Sequence, residues 1–165
     1  MKNYIIGVLV VIIVVLSSLL YKQNKTSIPK HFPALEDAAK SDAEVPLILY
    51  VFFSQRNCKD CMEVIQALNH LPSHFIVRGI VPKSELENEN ELRSITGAEF
   101  PLMTTGNYKK YIPWYGPSII AVSPINGRII FILPGVPGEK EYIEKFLESL
   151  YSKLYPIFVE QKLQK

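Results

Sequence analysis

The residues best suited to chemistry are the chain's two cysteines, Cys58 and Cys61, which two residues separate. The apolar run before them, residues 46–53, predicts a strand that is buried on both faces. Apolar residues then recur at helical spacing through residue 71, so Cys58 falls at the start of a helix. There, free N–H groups and the helix dipole lower the pKa of a thiol. Cys61 follows one turn later on the same face, so we expect a redox-active disulfide with Cys58 attacking and Cys61 resolving.

Two thiols at this spacing could also bind a metal or form a structural disulfide. Cys58, Cys61, His70 and His74 have the order of a zinc-finger ligand set, but the middle gap is eight residues and not 12–15. A helix would also carry His70 roughly 13 Å from Cys61, and Pro72 separates the histidines. A purely structural disulfide would close a loop too small to stabilise the fold much. We therefore expect no cofactor and no resident metal, while soft-metal binding by the thiolates alone stays an alternative.

Composition narrows the class of protein further. Eighteen Lys and Arg residues against sixteen Asp and Glu residues give a net charge of +2 over 165 residues, which argues against a nucleic-acid partner. An apolar fraction of 48% and a charged fraction of 21% exclude a disordered chain. Two cysteines are too few for a disulfide-rich scaffold.

The N-terminal residues predict a membrane anchor. Residues 5–20 contain no charge, Tyr4 and Tyr21 bracket them, and a helix over residues 4–21 would span roughly 27 Å. No A-x-A-like cleavage site follows, so a transmembrane signal anchor over residues 1–22 is favoured over a cleaved signal peptide.

The orientation of this anchor has two opposing indications. Lys22, Lys25 and Lys30 lie just after it, and the positive-inside rule would place the body of the chain in the cytoplasm. The very short N-terminal tail is instead typical of a signal anchor that exports the body. We expect an extracytoplasmic domain, on the periplasmic side or outer face, because thiols held in an oxidising space need an electron supply through the membrane.

The remaining chain predicts one domain with a mixed sheet. A linker with a short helix covers residues 23–44, the domain covers 45–155, and a tail covers 156–165. Strands alternate with helices in the first half, which implies a parallel pair, and a hairpin with a closing helix follows. The predicted strands are 46–53, 75–81, 118–122 and 128–133, and a turn at 124–127 joins the last two. The predicted helices, besides the one that follows Cys58, are a short helix 34–40 and an amphipathic helix 139–154. A further helix has Ser84 as its N-cap, with Glu87 completing a capping box; it runs to residue 96 and stops at Gly97, and residues 100–107 are irregular.

Two stretches make the chain resemble the thioredoxin superfamily across residues 45–153. The first is the strand, turn and helix around the motif, PLILYVFFSQRNCKDC, and the second is YGPSIIAVSPINGRIIFILPG. The resemblance implies an α/β thioredoxin-like fold, a mixed central sheet flanked by helices. Together with the anchor, it is similar to membrane-tethered members, the TlpA-like proteins and the C-terminal thiol-reductase domain of DsbD.

The resemblance also implies a substrate groove beside the disulfide. Pro117 corresponds to the family's cis-proline, and Ser118 follows it. Trp114 and Tyr115 would form an aromatic wall, or pack in the core, and Gly116 would leave room for an extended partner chain added as a strand.

Several positions depart from the family pattern. Asn57 stands where an aromatic residue usually precedes the first cysteine, and Lys59 and Asp60 replace Gly-Pro. The buried acid of thioredoxin falls at Phe52, so Glu63 or water would have to move the proton. Arg78 matches either a basic residue beneath the active site or a solvated charge at a strand end, and residues 97–115 are an insertion.

The prediction is a membrane-tethered thiol–disulfide oxidoreductase. It would reduce disulfides of extracytoplasmic protein partners through Cys58 and Cys61, with an upstream electron donor, or an acceptor if the reaction runs in reverse. The alternative class is a binding module or a soft-metal (copper) chaperone with little catalysis. A peroxide-reducing enzyme would need a separate peroxidatic cysteine, and the sequence has no third cysteine.

Overall fold

The structure is a computed structural model that describes residues 12–17, 46–57, 61–104, 117–136 and 140–163. The elements are β1 Leu47–Phe52, α1 Cys61–Asn69, β2 Phe75–Ile80, α2 Lys83–Leu86, α3 Glu89–Thr96, β3 Leu102–Met103, β4 Ser118–Val122, β5 Ile129–Leu133 and α4 Lys140–Leu163. The five strands form one sheet in the order β3-β2-β1-β4-β5. β1 pairs with β2 in parallel and with β4 antiparallel, β2 pairs with β3 in parallel, and β4 pairs with β5 antiparallel.

β1 is the central strand, and its side chains alternate between two apolar cores. Leu49 and Val51 lie on the first face, which also packs against residues of α1 and α4. Tyr50 and Phe52 lie on the second face, together with residues of β2 and β4. All six residues of β1 are buried, so the prediction of a strand covered on both faces is confirmed.

Tyr50 is the polar member of the second core, where only 2% of it is exposed. Burial raises the pKa of its phenol from 10.0 to about 12, and the positive charge of Arg78, its neighbour across the β1–β2 pair, lowers it in part. The phenol therefore stays neutral near pH 7, which is the form that an apolar core tolerates.

The predicted helix with Ser84 as N-cap is wrong in its start and in its continuity. α2 begins at Lys83 after Pro82, and no side chain caps it. Ser84 consequently lies inside the first turn, where its hydroxyl cannot cap, and Glu87 forms no capping box. A second helix, α3, begins only at Glu89, because Asn88 has non-helical dihedral angles. The predicted end at Gly97 is confirmed: its φ is 73°, and its N–H donates to the Arg93 carbonyl at 2.8 Å.

The chain after α3 contains a strand where we predicted irregular structure. β3 has only two residues, Leu102 and Met103. The N–H of Gly79 donates to the carbonyl of Pro101 at 2.9 Å, and that of Val81 to Met103 at 3.0 Å. Two residues are too few for an alternation pattern, so the sequence carried no signal for this strand.

The predicted hairpin is confirmed. β4 and β5 are antiparallel neighbours, although β5 begins at Ile129 and not at residue 128. The turn closes with Gly127 at a φ of 67°, and its N–H donates to the Ser123 carbonyl at 2.9 Å. The Asn126 side chain accepts from the N–H of Arg128 at 3.0 Å, which fixes the Asn-Gly turn.

The last helix is longer than predicted. α4 continues past residue 154 and through Pro156 to Leu163, so residues 156–163 of the predicted tail are helical. Phe158 is 4% exposed and belongs to the core of the first face. This burial compensates for the hydrogen bond that the proline removes from the helix.

Some predictions fall outside the described residues, including the linker with its short helix at 34–40. Of the anchor, residues 12–17 are described; they are helical, and Ile12 to Leu16 are about half-exposed. Among the described helices, none has the length and apolar character to cross a membrane.

The burial of Phe158 predicts that the end of α4 contributes to stability. Phe158→Ala should lower the free energy of unfolding by about 3–5 kcal/mol, because it opens a cavity in the core. Ile157→Ala is the matched control, since Ile157 is 49% exposed, and should cost less than about 1 kcal/mol. Urea unfolding of the full chain measures both. Equal and small losses would show that the core does not include this turn.

Candidate functional site

Three elements meet at the end of the sheet where the central strand β1 finishes. β1 ends at Phe52, and residues 55–57 form a 3₁₀ turn that leads toward the first cysteine. α1 begins at Cys61, and β4 begins at Ser118, which pairs with Phe52. The carboxyl end of β1, the amino end of α1 and the amino end of β4 therefore lie on the same side of the domain.

Cys61 is the first residue of α1 and is fully buried. It is disulfide-bonded, and no free thiol occurs among the described residues. Its side chain belongs to the core of the first face, beside the apolar side of α1, where Val64, Ile65 and Leu68 are also buried. A partner protein in solution therefore has no access to this sulfur in the described state.

The other predicted site residues are only partly described. Cys58, Trp114, Tyr115 and Gly116 lie outside the described residues. Pro117 is buried, and its carbonyl accepts a hydrogen bond from the N–H of Val136 at 2.9 Å.

Ser118 and Cys61 lie on opposite faces of the sheet. Ser118 pairs with Phe52, a member of the core on the second face, whereas the next residue, Ile119, is in the core of the first face with Cys61. The Ser118 hydroxyl is buried and has no hydrogen-bond partner among the described residues. The structure therefore does not bring this hydroxyl to the face that holds Cys61.

The described residues offer no buried carboxylate for proton transfer. Phe52, at the position of the acid in the family pattern, is fully buried on the second face, and Glu63 is exposed. Besides Tyr50, the buried polar residues of the described chain are Ser54, Thr96, Ser118 and Ser123, and all of them carry hydroxyl groups.

Arg78 and His74 both lie away from Cys61. Arg78 is half-buried in the middle of β2, on the second face opposite Tyr50, and its guanidinium donates to the Val77 carbonyl at 3.0 Å. It is therefore not a solvated charge at a strand end. The His74 ring stacks on Tyr151 of α4 at 4.1 Å, and its Nε2 lies 3.3 Å from a Glu148 carboxylate oxygen.

The sequence did not reveal one carboxylate that lies at the carboxyl end of β1. Glu85 of α2 accepts a hydrogen bond from the Ser54 hydroxyl at 2.7 Å and another from the Gln55 N–H at 2.8 Å. The Ser54 oxygen in turn accepts from the N–H of Arg56 at 3.3 Å. A cavity of about 200 Å³ lies beside these groups, lined by Gln55, Arg56, Glu85 and Glu91 among others. Because about thirty positions separate the partners, no local pattern could reveal the contact.

Comparisons with known proteins identify the fold. No family model matches the chain, and no curated protein matches it. A crystal structure of a candidate thiol:disulfide interchange protein DsbE from Chlorobium tepidum superposes with a TM-score of 0.55 at 16% identity, covering 74% of this chain and 98% of that one. A second, of a thiol:disulfide interchange protein of the thioredoxin family from Chlorobium tepidum TLS, gives 0.50 at 15% identity with the same coverage.

The described domain therefore has a thioredoxin-like fold, of the kind found in thiol:disulfide interchange proteins. At 16% and 15% sequence identity, the structural similarity to these two proteins establishes the fold. The predicted mixed sheet flanked by helices is confirmed at that level.

The unpartnered Ser118 hydroxyl generates a prediction about stability. Ser118→Ala should raise the free energy of unfolding by about 1 kcal/mol, because it removes a buried polar group that has no described partner. Ser123→Ala is the matched control: Ser123 is equally buried, but its oxygen accepts from the N–H of Ile125 at 3.3 Å. It should lower stability by about 1 kcal/mol. Urea unfolding compares the two, and a Ser118→Ala variant that loses stability would contradict this placement.

Proposed function

We propose that the chain is a membrane-tethered thiol–disulfide oxidoreductase that reduces disulfides of extracytoplasmic protein partners. The observation that carries the proposal is Cys61, which is buried and disulfide-bonded at the first residue of α1 in a thioredoxin-like fold. Cys58 is the chain's only other cysteine, so an intramolecular disulfide of Cys61 has no other possible partner.

The burial of Cys61 supports different roles for the two thiols in this proposal. In the reduced protein, the Cys58 thiolate attacks one sulfur of a partner disulfide, and the second partner sulfur leaves as a thiolate that takes up a proton. Cys61 then loses its proton, and its thiolate attacks the Cys58 sulfur. The partner's remaining sulfur leaves as a thiolate and takes up a proton, and Cys58 and Cys61 form a disulfide. Two electrons pass to the partner, and an upstream donor dithiol must return them for the next turnover.

Substrate binding in this proposal uses the chain before β4. Trp114, Tyr115 and Gly116 would contact an extended partner segment next to Pro117. The Pro117 carbonyl already accepts from Val136, so the partner's hydrogen bonds must come from the residues before it. Ser118, on the opposite face, would support the strand and not touch the partner.

Reduction of insulin tests the central step. With dithiothreitol as donor, the full chain should accelerate insulin reduction, Cys58→Ser should abolish the acceleration, and Cys61→Ser should abolish turnover while trapping a mixed disulfide at Cys58. Gln66→Ala, on the exposed side of α1, is the control and should keep full activity. A wild-type chain no faster than both cysteine variants would overturn the oxidoreductase proposal and favour the binding module.

The membrane tether is a separate part of the proposal. Its support is the uncharged run of residues 5–20 and the half-exposed apolar side chains of the described helical residues 12–16. The full chain should stay in the membrane fraction during carbonate extraction, whereas the double variant Ile13→Lys with Val14→Lys should be released. Protease added to intact spheroplasts should digest the domain. Protection until lysis would contradict the extracytoplasmic placement.

A further inference from the structure

Glu85 connects two elements that the chain order keeps apart. It lies in the first turn of α2, and its own N–H donates to the Pro82 carbonyl at 3.0 Å, which fixes its backbone. Both carboxylate oxygens are used: Oε1 accepts from the Ser54 hydroxyl and Oε2 from the Gln55 N–H. The carboxylate thus holds the residues at which β1 gives way to the 3₁₀ turn.

The contact is selective within an acidic stretch. Glu87 is exposed, and its side chain has no hydrogen bond or ion pair within the described part of the chain. Glu89 instead pairs with Arg93 of its own helix at 2.7 Å. Ser54 is 8% exposed, so its bond to Glu85 is largely shielded from water. A charge-assisted bond in such a place is stronger than one on the open surface.

We propose that Glu85 is a positioning residue for the dithiol, which sets the balance between the disulfide and dithiol forms. The inference rests on the proposed function, since it concerns the redox reaction of Cys58 with Cys61. Glu85 accepts a hydrogen bond from the N–H of Gln55, which lies three residues before Cys58. The backbones of Gln55 and Cys58 are therefore at most about 11 Å apart.

Two effects of Glu85 act in the same direction. Fixing the turn restricts Cys58 relative to the buried Cys61, and a pre-organised pair favours the disulfide over the dithiol. The negative charge also disfavours a thiolate nearby, which destabilises the reduced form. Removing Glu85 should therefore make the disulfide easier to reduce.

The test is the equilibrium of the full chain with glutathione, in which the protein disulfide and two glutathione molecules form the dithiol and glutathione disulfide. Mass spectrometry after alkylation gives the equilibrium constant for reduction. Glu85→Ala should raise this constant about fivefold or more, through loss of both bonds and the charge. Glu85→Gln keeps the shape of the side chain and one acceptor oxygen, and should raise the constant about twofold, mainly through loss of the charge.

Controls separate positioning from general destabilisation. Glu87→Gln removes the same charge two residues away without touching the turn and should change the constant less than Glu85→Gln does. Ser54→Ala removes the bond to Glu85, together with the longer bond that the Ser54 oxygen accepts from the Arg56 N–H, and keeps the charge of Glu85. It should raise the constant. Alkylation of Cys58 at varied pH gives a second measurement: its profile should move to lower pH in Glu85→Gln, which a merely structural role would not produce.

The possible failures are distinguishable. A wild-type chain that glutathione reduces reversibly, together with unchanged constants in Glu85→Gln and Ser54→Ala, would overturn the role of Glu85 alone. A wild-type chain without a reversible transition would overturn the proposed function, and the role of Glu85 with it. If Glu85→Ala does not fold, the near-isosteric Glu85→Gln and Ser54→Ala still decide the question.

Discussion

Strand β1 is hydrogen-bonded along both edges and buried on both faces, and the placement of the site follows from this constraint. A strand with β2 on one side and β4 on the other has no freedom to shift, because a slip by one residue would exchange the contents of the two cores. The 3₁₀ turn and α1, which follow the carboxyl end of β1, therefore have a fixed position at that end of the sheet. β4 begins at the same end because it runs antiparallel to β1 and pairs with its last residue.

The two faces of this sheet contain different chemical groups. The first face packs against α1 and α4 and holds Cys61, so the resolving sulfur of the proposed reaction is shielded by apolar side chains. The second face contains the Tyr50 phenol and the Ser118 hydroxyl, both nearly fully buried. Polar groups on the second face are separated from Cys61 by the sheet itself. The proposed chemistry therefore depends on the chain that follows the carboxyl end of β1, where Glu85 bonds Ser54 and Gln55.

The sequence predicted well wherever one pattern was long enough to act alone. β1, β2, α1 and the hairpin follow from apolar runs, a helical stripe and an Asn-Gly turn. It failed where a contact over distance decided the outcome. The end of α4 depends on Phe158 reaching the core beyond Pro156, and no propensity rule extends a helix through a proline. The bond of Glu85 to Ser54 could not be predicted either, because the two residues are far apart in the sequence. The local pattern instead predicted that Glu87 completes a capping box, but the side chain of Glu87 makes no such contact.

We propose that Cys58 and Cys61 form a reversible redox pair, and the reduction potential of the full chain measures whether they do. Equilibration in a series of glutathione buffers, read by alkylation and mass spectrometry, gives the midpoint. We expect a reversible two-electron transition between about −270 and −120 mV, near the lower value for a reductant. A disulfide that stays closed to below about −300 mV would behave as a structural crosslink, and Cys58 and Cys61 would then not be a redox pair.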